Sequence, residues 1–226
     1  MQDATAPTPT PSDQAYPDAP WILDGRIVLG QVTARRPLTP TSGLRHLLDR
    51  RLLLFLGRYR QGTLDYSELV LAAYARRGLR PGLEIRHIWV DNDPALLGGV
   101  HIWGLPKKLA TFDWSHHHVR VSDDHGPVTT LTWTPGRNVP GRLPVPLWFF
   151  GTRDGALLHT TAKARCRLTP ARLTVDEWTD RLPALTSHRA RLGAVCDPSR
   201  AIVPPARVLT HLPAPSTGAD HHRQGV

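Results

Sequence analysis

The chain has few cysteines and no long apolar run, and both shortages narrow the class of protein. Its 226 residues include two cysteines, Cys166 and Cys196, whose spacing matches no metal or redox motif. We therefore expect reduced thiols and a cytoplasmic protein rather than a disulfide-stapled secreted domain. No run approaches the roughly eighteen consecutive apolar residues of a membrane span, which predicts a protein without membrane contact.

Lysine is also scarce, although the chain is strongly basic. There are three lysines, Lys107, Lys108 and Lys163, against twenty-five arginines, and the formal net charge is +9. Because arginine fills the ordinary surface positions, the adjacent pair at 107 and 108 indicates a need for an amine that can lose its proton. The alternative is a solvated pair on a turn after Pro106, which is the usual setting for neighbouring charges.

An adjacent lysine pair is suited to Schiff-base chemistry. A neutral amine adds to a ketone carbonyl and loses water to give an iminium, whose nitrogen accepts the electrons of a breaking carbon–carbon bond. A second cation nearby and burial in an apolar pocket both disfavour protonation of the amine. The pair therefore predicts one lysine that is nucleophilic at neutral pH.

The excess of positive charge does not by itself predict a nucleic-acid partner. The arginines are spread along the chain, and neither a recognised binding motif nor an aromatic RNA-reading segment is present. We expect no nucleic-acid partner and interpret the positive field as one that draws in small anionic substrates.

Three consecutive histidines, His116, His117 and His118, are the other candidate for a functional site. On a strand, His116 and His118 would point to one side and His117 to the other, so at most two could share a metal ion. No nearby cysteine or paired carboxylate completes a ligand set. We therefore expect a structural or solvated role and no bound metal.

Two stretches of the chain resemble the signature region of the acetoacetate decarboxylase family. Residues 89–99 read WVDNDPALLGG, and residues 104–110 read GLPKKLA. Members of that family carry a similar Asp-Asn-acidic-Pro-Ala segment, a short link and then Pro-Lys-Lys-Leu. A second match covers residues 65–70, which read DYSELV, where the family places an active-site glutamate on a strand.

The resemblance implies a role for the ionisable residues in these stretches. Lys107 would form the Schiff base, Lys108 would be its electrostatic neighbour, and Glu68 would orient the substrate or transfer protons. The resemblance also implies a cofactor-free enzyme that acts on a small keto acid and assembles into a homo-oligomer. The alternative for Glu68 is a strand-edge carboxylate in water.

The chain also departs from the family pattern. Residues 99–101 read Gly-Val-His where the family often has Gly-Arg-Glu, and residues 51–56 offer no second carboxylate on the strand before Glu68. The family's substrate-binding arginine would correspond to Arg26, whose guanidinium suits a carboxylate. The alternative for Arg26 is an exposed strand-edge charge.

Three apolar residues beside the motif complete the expected site. By resemblance, Trp89, Leu105 and Trp103 would form apolar walls near the reactive amine, and Trp89 and Leu105 would contact the substrate. Core packing is the alternative for each of them, because large apolar side chains usually lie in a protein core.

Glycine and proline between short apolar segments predict an antiparallel, meander-like sheet, with residues 157–168 and 171–178 as two separate strands. The resemblance implies an α+β, mainly antiparallel β fold whose curved sheet forms a cone or barrel around the site, with a few short helices. We expect a disordered tail over residues 1–20, a single domain over 21–212 and a flexible tail over 213–226.

Local signals predict two of the helices. Thr41 or Ser42 would cap a short helix with three leucines on one face. A second helix would run over residues 94–103, with Asp93 as its cap, because proline is tolerated in the first turn of a helix. The lysine pair would follow that helix on a loop.

The leading hypothesis is a Schiff-base lyase that decarboxylates acetoacetate or a related small keto acid through a lysine imine. The absent second carboxylate keeps a neighbouring reaction open, in which the same imine becomes an enamine nucleophile for aldol addition and dehydration of keto acids. A non-catalytic, ligand-binding member of the family is a further alternative.

Overall fold

The computed structural model describes residues 15–41 and 43–212, and most of them lie in β-strands. The elements in chain order are β1 (Trp21–Thr33), β2 (Arg45–His46), β3 (Arg51–Gly62), β4 (Tyr66–Arg77), β5 (Arg80–Val90), α1 (Asp93–Trp103), β6 (Lys107–Leu109), β7 (Thr111–Ser115), β8 (His118–Asp123), β9 (Gly126–Pro135), β10 (Leu143–Arg153), β11 (Ala156–Trp178), β12 (Gly193–Val203) and β13 (Arg207–His211).

Seven strands form a closed ring. They pair in the order β10, β5, β4, β3, β1, β12 and β11, and β11 pairs back with β10. Every pair is antiparallel except β10 with β5. Closing a sheet removes its free edges and encloses an interior. The predicted curved, mainly antiparallel sheet is confirmed, although the described residues contain one helix rather than several.

Strand β11 joins the ring to a second sheet. Its first half pairs with β10, β12 and β13, and its second half pairs with β9, which continues to β8 and β7. The prediction of two strands separated near Pro170 was wrong, because β11 runs through this proline without a break. Pro170 marks the place where the partner changes from β12 to β9, so the missing N–H interrupts little of either ladder.

Side chains alternate between two apolar cores along the ring strands. On β4, Val70 and Ala72 belong to the core inside the ring, whereas Leu69 and Leu71 belong to the core between the ring and the second sheet. This follows from the period of two in a β-strand. We call these two surfaces the inner face and the outer face of the ring.

Helix α1 is confirmed, with its cap one residue earlier than predicted. Asn92, rather than Asp93, is the N-cap, and its side chain accepts a hydrogen bond from the Ala95 N–H. The helix ends at Gly104, whose φ of 64° lies in the left-handed region that favours glycine. This turn sends the chain back toward β5 and positions the lysine pair.

The helix predicted after Thr41 was wrong. The segment forms turns and the short strand β2 instead, and Ser42 lies outside the described residues. Leu44 is buried, but Leu47 and Leu48 are largely exposed, so the three leucines do not share one buried face. The segment crosses the end of the ring, where β2 pairs with β4.

The ends of the described chain bear on the predicted tails. Tyr16 lies within the predicted N-terminal tail, yet its ring stacks on His101 of α1 at 5.7 Å between centroids. Contacts with the domain therefore begin before Trp21. Residues 1–14 and 213–226 lie outside the described residues, so the tail predictions for them stay predictions. No helix in the described part of the chain has the length and apolar character needed to cross a membrane.

Candidate active site

A cavity of about 450 Å³ occupies the interior of the ring. Its walls come from the inner face of the ring strands and from the segment after α1. The lining is mainly aliphatic and aromatic, and the charged side chains among it are those of Glu68 and Lys107. The ionisable residues that a Schiff-base site would need therefore line the cavity inside the ring.

The lysine pair lies on strand β6 and not on the predicted loop. Strand β6 pairs in parallel with β5, so that Lys107 lies beside Ile88 and Lys108 beside Trp89. Ile88 belongs to the inner core and Trp89 to the outer one. Because neighbouring residues on a strand point to opposite sides, Lys107 enters the cavity, whereas Lys108 is exposed.

Helix α1 provides the space that Lys107 occupies. A Cβ atom at Gly99 would lie 2.3 Å from Cδ and 2.5 Å from Cε of Lys107, so the lysine stem packs directly on the glycine backbone. The Lys107 Nζ lies 5.9 Å from the ring centroid of Trp21 and 5.1 Å from that of Tyr66. Only 3% of the lysine side chain is exposed.

Burial lowers the pKa of Lys107 below its ordinary value of 10.5, because an ammonium loses its hydration in an apolar cavity. The carboxylate of Glu68 acts in the opposite direction, with its Oε2 3.7 Å from the Lys107 Nζ. Lys108 affects the pKa of a different residue. The pKa of His87 is lowered to about 4, first by burial and then by the charges of Arg86 and Lys108. The structure thus places Lys108 beside His87 and gives burial the main influence on Lys107.

Two tyrosines lie beside Glu68. The Tyr59 hydroxyl donates a hydrogen bond of 2.8 Å to Oε1 of Glu68, and Tyr66 lies two residues before Glu68 on β4 and lines the same cavity. Burial first, and then the negative charge of Glu68, raise the pKa of both phenols well above 10. The tyrosines therefore remain protonated donors across the physiological range of pH.

Sequence reasoning missed both tyrosines. Tyr66 is two residues before Glu68 on the same strand, and the period of two alone would have placed both on one face. Tyr59 lacks such a local signal, because it reaches Glu68 through the pairing of β3 with β4, in which Tyr59 lies opposite Tyr66. Trp21 was missed for the same reason, since it lines the cavity from β1, whereas Trp103, which was expected as an apolar wall, also lines it.

The predicted substrate-binding residues separate in the structure. Leu105 is buried and lines the cavity. Trp89 packs in the outer core and donates a 3.1 Å hydrogen bond to Asp123, so it does not reach the cavity. Arg26 is about half exposed and forms a 2.6 Å ion pair with Asp197. No arginine in the described part of the chain lines the cavity.

The two cysteines also face the cavity, from the neighbouring strands β11 and β12. Both are buried free thiols, and burial together with the nearby Cys166 raises the pKa of Cys196 to about 12. Thiols of this kind are inert rather than nucleophilic. The cysteines thus contribute apolar surface to the wall.

His116 and His117 form the turn between β7 and β8, and His118 is the first residue of β8. His116 is exposed, and its ring lies 4.1 Å from that of His117. Across residues 15–41 and 43–212, no three metal-binding side chains come together in a group that could hold an ion. The histidines stay apart from the cavity and its chemistry.

Comparison with known sequences identifies the same region of the chain. Residues 36–150 match the family model described as acetoacetate decarboxylase. An acetoacetate decarboxylase from Ralstonia nicotianae is 39% identical over 59 residues. That match spans 25% of this chain and 24% of the relative, so the chain matches about a quarter of the length of this curated relative.

Solved structures extend the likeness to nearly the whole fold. An acetoacetate decarboxylase-like enzyme from Sphingomonas wittichii has a TM-score of 0.68 at 15% identity, over 92% of this chain and all of the other. The enduracididine biosynthesis enzyme MppR, in complex with pyruvate, has a TM-score of 0.67 at 16% identity, over 88% of this chain and 94% of the other.

An acetoacetate decarboxylase from Legionella pneumophila has a TM-score of 0.64 at 16% identity, over 90% of this chain and 93% of that one. At these identities the likeness is one of fold. The family itself is shown by the sequence match, which covers half of the chain and includes Glu68, the helix α1 and the lysine pair. The chain belongs to the acetoacetate decarboxylase family.

Proposed function

We propose that this protein is a Schiff-base lyase in which Lys107 forms an imine with a β-keto acid and releases carbon dioxide. The observation that carries the proposal is the Lys107 amine itself, which is almost completely buried and has a lowered pKa inside an apolar cavity. A lysine of this kind has a larger neutral fraction at physiological pH than an exposed one, and the neutral amine is the nucleophile.

The first step joins the substrate to the enzyme. The neutral amine of Lys107 adds to the ketone carbon to give a carbinolamine. The hydroxyl group of the carbinolamine then takes up a proton and leaves as water, which forms the iminium. Glu68 is 3.7 Å from the lysine nitrogen, so its carboxylate is the nearest charged group for these proton transfers. Tyr59 fixes the orientation of the carboxylate by its hydrogen bond.

The second step releases carbon dioxide. The electron pair of the bond to the carboxylate moves toward the iminium nitrogen, which becomes a neutral enamine. Opposite charges on the iminium and the carboxylate are both lost in this step, and an apolar cavity disfavours separate charges more than water does. The apolar lining therefore favours the reaction without a cation dedicated to the carboxylate.

The last step restores the enzyme. The enamine carbon accepts a proton, which regenerates the iminium, and water then hydrolyses it to a ketone and the free amine of Lys107. The net change is the conversion of one β-keto carboxylate anion and one proton to one ketone and carbon dioxide. None of these steps calls on a group beyond the side chains of the cavity and water.

Reductive trapping tests the proposal. The protein is incubated with acetoacetate or a longer 3-oxo acid and sodium borohydride, and the adduct is located by peptide mass spectrometry. A reduced adduct on Lys107 that is absent from Lys107→Met, together with carbon dioxide release by the untreated protein, supports a Schiff-base carboxy-lyase. Absence of both with all of the acids would contradict it.

A second candidate is aldol addition followed by dehydration through the same imine. It is favoured by the presence of one carboxylate, Glu68, in the lining of the cavity. The similar enzyme MppR has also been solved with the condensation product of pyruvate and imidazole 4-carboxaldehyde. Product analysis after incubation with pyruvate and an aldehyde separates the two reactions, because only condensation gives a larger product without release of carbon dioxide.

A further inference from the structure

We propose that the substrate of this site carries a long apolar substituent, which lies along the ring interior with its carbonyl end at Lys107. The proposal names the substrate class for the proposed function and rests on it for the position of the carbonyl. Acetoacetate, with a single methyl group beyond its ketone, would leave most of a cavity of about 450 Å³ without contacts. Cavities of this size ordinarily enclose drug-sized ligands.

The cavity has a closed polar end and an open apolar end. At the closed end, Trp21 and Trp103 are 1% and 3% exposed and surround the buried Lys107. At the other end, the lining side chains of Leu47 and Trp148 are 49% and 37% exposed. A substrate therefore enters past apolar side chains and brings its carbonyl to the lysine first.

The distance between the two ends is set by strand β4. Glu68, Val70 and Tyr74 all line the cavity from the inner face of this strand. The six residue-to-residue steps from Glu68 to Tyr74 span about 20 Å at the usual rise of a β-strand. On β5, Ile88 lies beside Lys107 and Leu83 lies beside Tyr74, so the next strand has the same direction from polar to apolar.

The walls along this length are apolar. Beyond Glu68 and Lys107, the strands contribute aliphatic and aromatic side chains, buried thiols, glycine and Ser199, whose hydroxyl donates to the Gly25 carbonyl, and no further charged group lines the cavity within the described chain. A substrate with a second charged or strongly polar end would lose its hydration there without a compensating partner. An alkyl or aryl substituent instead gains from burial, by about fourfold in affinity for each methylene group.

The test uses two series of compounds that differ in chain length. Binding of 2-butanone, 2-hexanone, 2-octanone and 2-decanone is measured by calorimetry, and kcat/KM for carbon dioxide release is measured with acetoacetate, 3-oxohexanoate and 3-oxooctanoate. We expect the dissociation constant of the ketones to fall by about fourfold for each added methylene until the cavity is filled. We expect kcat/KM of the acids to rise in the same order.

A variant that blocks the middle of the cavity shows whether the gain in affinity with chain length arises there. Val70→Phe adds a ring on the inner face between Glu68 and Tyr74 and is expected to abolish the gain for the longer compounds while short ones still bind. Val208→Phe is the matched control, because Val208 is 55% exposed on β13 and does not line the cavity. The ketone series on the unaltered protein decides the question even if Val70→Phe fails to fold.

The outcomes separate this inference from the proposed function. Ketone affinity that is flat or falls with chain length overturns the inference, even if acetoacetate is decarboxylated. Length-dependent ketone binding without an imine adduct or carbon dioxide from any acid leaves the apolar ligand class in place and overturns the lyase. Length dependence in both series, lost for the long compounds in Val70→Phe and kept in Val208→Phe, supports both.

Discussion

The two faces of the ring are built from the same strands, yet one is packed and the other encloses space. On β3, Leu54 points outward and is 1% exposed against the second sheet, whereas Leu53 points inward and lines the cavity. The outer face packs its aliphatic side chains against the second sheet, which contributes Trp133 to the shared core. The inner face combines apolar walls with a buried amine and a buried carboxylate.

The difference between the two faces explains how the protein keeps a buried lysine in a stable fold. The close-packed outer core stabilises the strands, so the inner face can leave a cavity open and bury two ionisable groups. The lysine pair illustrates the division at the scale of one residue. Lys107 and Lys108 are adjacent in sequence, and the pleat of β6 sends them to opposite sides of the sheet.

Replacing one lysine at a time is the strongest test of the difference between the two faces. We expect Lys107→Met to lower kcat/KM by at least about a thousandfold, because the nucleophile is lost. The measurement is the rate of carbon dioxide release from a 3-oxo acid that the unaltered protein turns over. Lys108→Met is the matched control and should change the rate by less than about threefold, since its side chain is exposed and points away from the cavity. Equal losses in the two variants would contradict the assignment of separate faces.

Neighbouring leucines on β3 offer a comparison of stability rather than activity. We expect Leu54→Ala to lower the free energy of unfolding by about 3 kcal/mol, because it opens a cavity in a packed core. Leu53→Ala should cost about 1 kcal/mol, because its side chain already borders open space. Urea unfolding at neutral pH measures both. Similar losses in the two variants would mean that the inner face is as tightly packed as the outer one.

The sequence was sufficient for the elements that carry local signals and insufficient for those that depend on pairing. Pro94 marks the start of α1 in the sequence, although Asp93 was expected as the cap in place of Asn92, and the motif around Lys107 indicated the amine of the site. Tyr59 joins Glu68 only through the register of β3 with β4, which a single sequence does not contain. Arg26 has the residue type that a carboxylate site needs, but the face of β1 on which it lies could not be read from its neighbours.

Two adjacent glycines of α1 test whether the position of Lys107 can be changed without a loss of stability. In Gly99→Ala the new methyl group meets the flexible Lys107 stem, so we expect the amine to move and kcat/KM to fall by about tenfold or more. Stability should be kept or slightly raised, because alanine favours a helix over glycine by about 1 kcal/mol. Thermal unfolding and carbon dioxide release are measured together.

Gly98→Ala is the counterpart on the same helix. Its methyl group would lie 2.4 Å from the Trp21 ring, which is buried and rigid, so we expect lowered stability as the first effect. A loss of stability in Gly99→Ala comparable to that in Gly98→Ala would show that Lys107 is held as firmly as a core side chain.

The smallest expected effect concerns His87, the half-buried base on the side of Lys108. Its pKa of about 4 lies below the ordinary 6.5, so between these values the unfolded chain binds a proton that the folded chain does not. Stability is therefore lost as the pH falls from about 6.5 to about 4, with no further loss from this group below that. In His87→Phe, which keeps a ring beside Trp89, we expect the loss between pH 7.5 and pH 5 to shrink by about 1 to 2 kcal/mol.

Urea unfolding of both proteins at the two pH values measures this difference, and taking the difference between proteins removes the shared contribution of the carboxylates. Burial also lowers the pKa of Lys107, and because this lysine is present in both proteins its contribution is removed by the same difference. An unchanged acid sensitivity in His87→Phe would mean that His87 is hydrated in the folded protein. The surroundings of Lys108 would then be more hydrated than the packed outer face indicates. Lys107 and Lys108 would then differ only in the exposed fraction of their side chains.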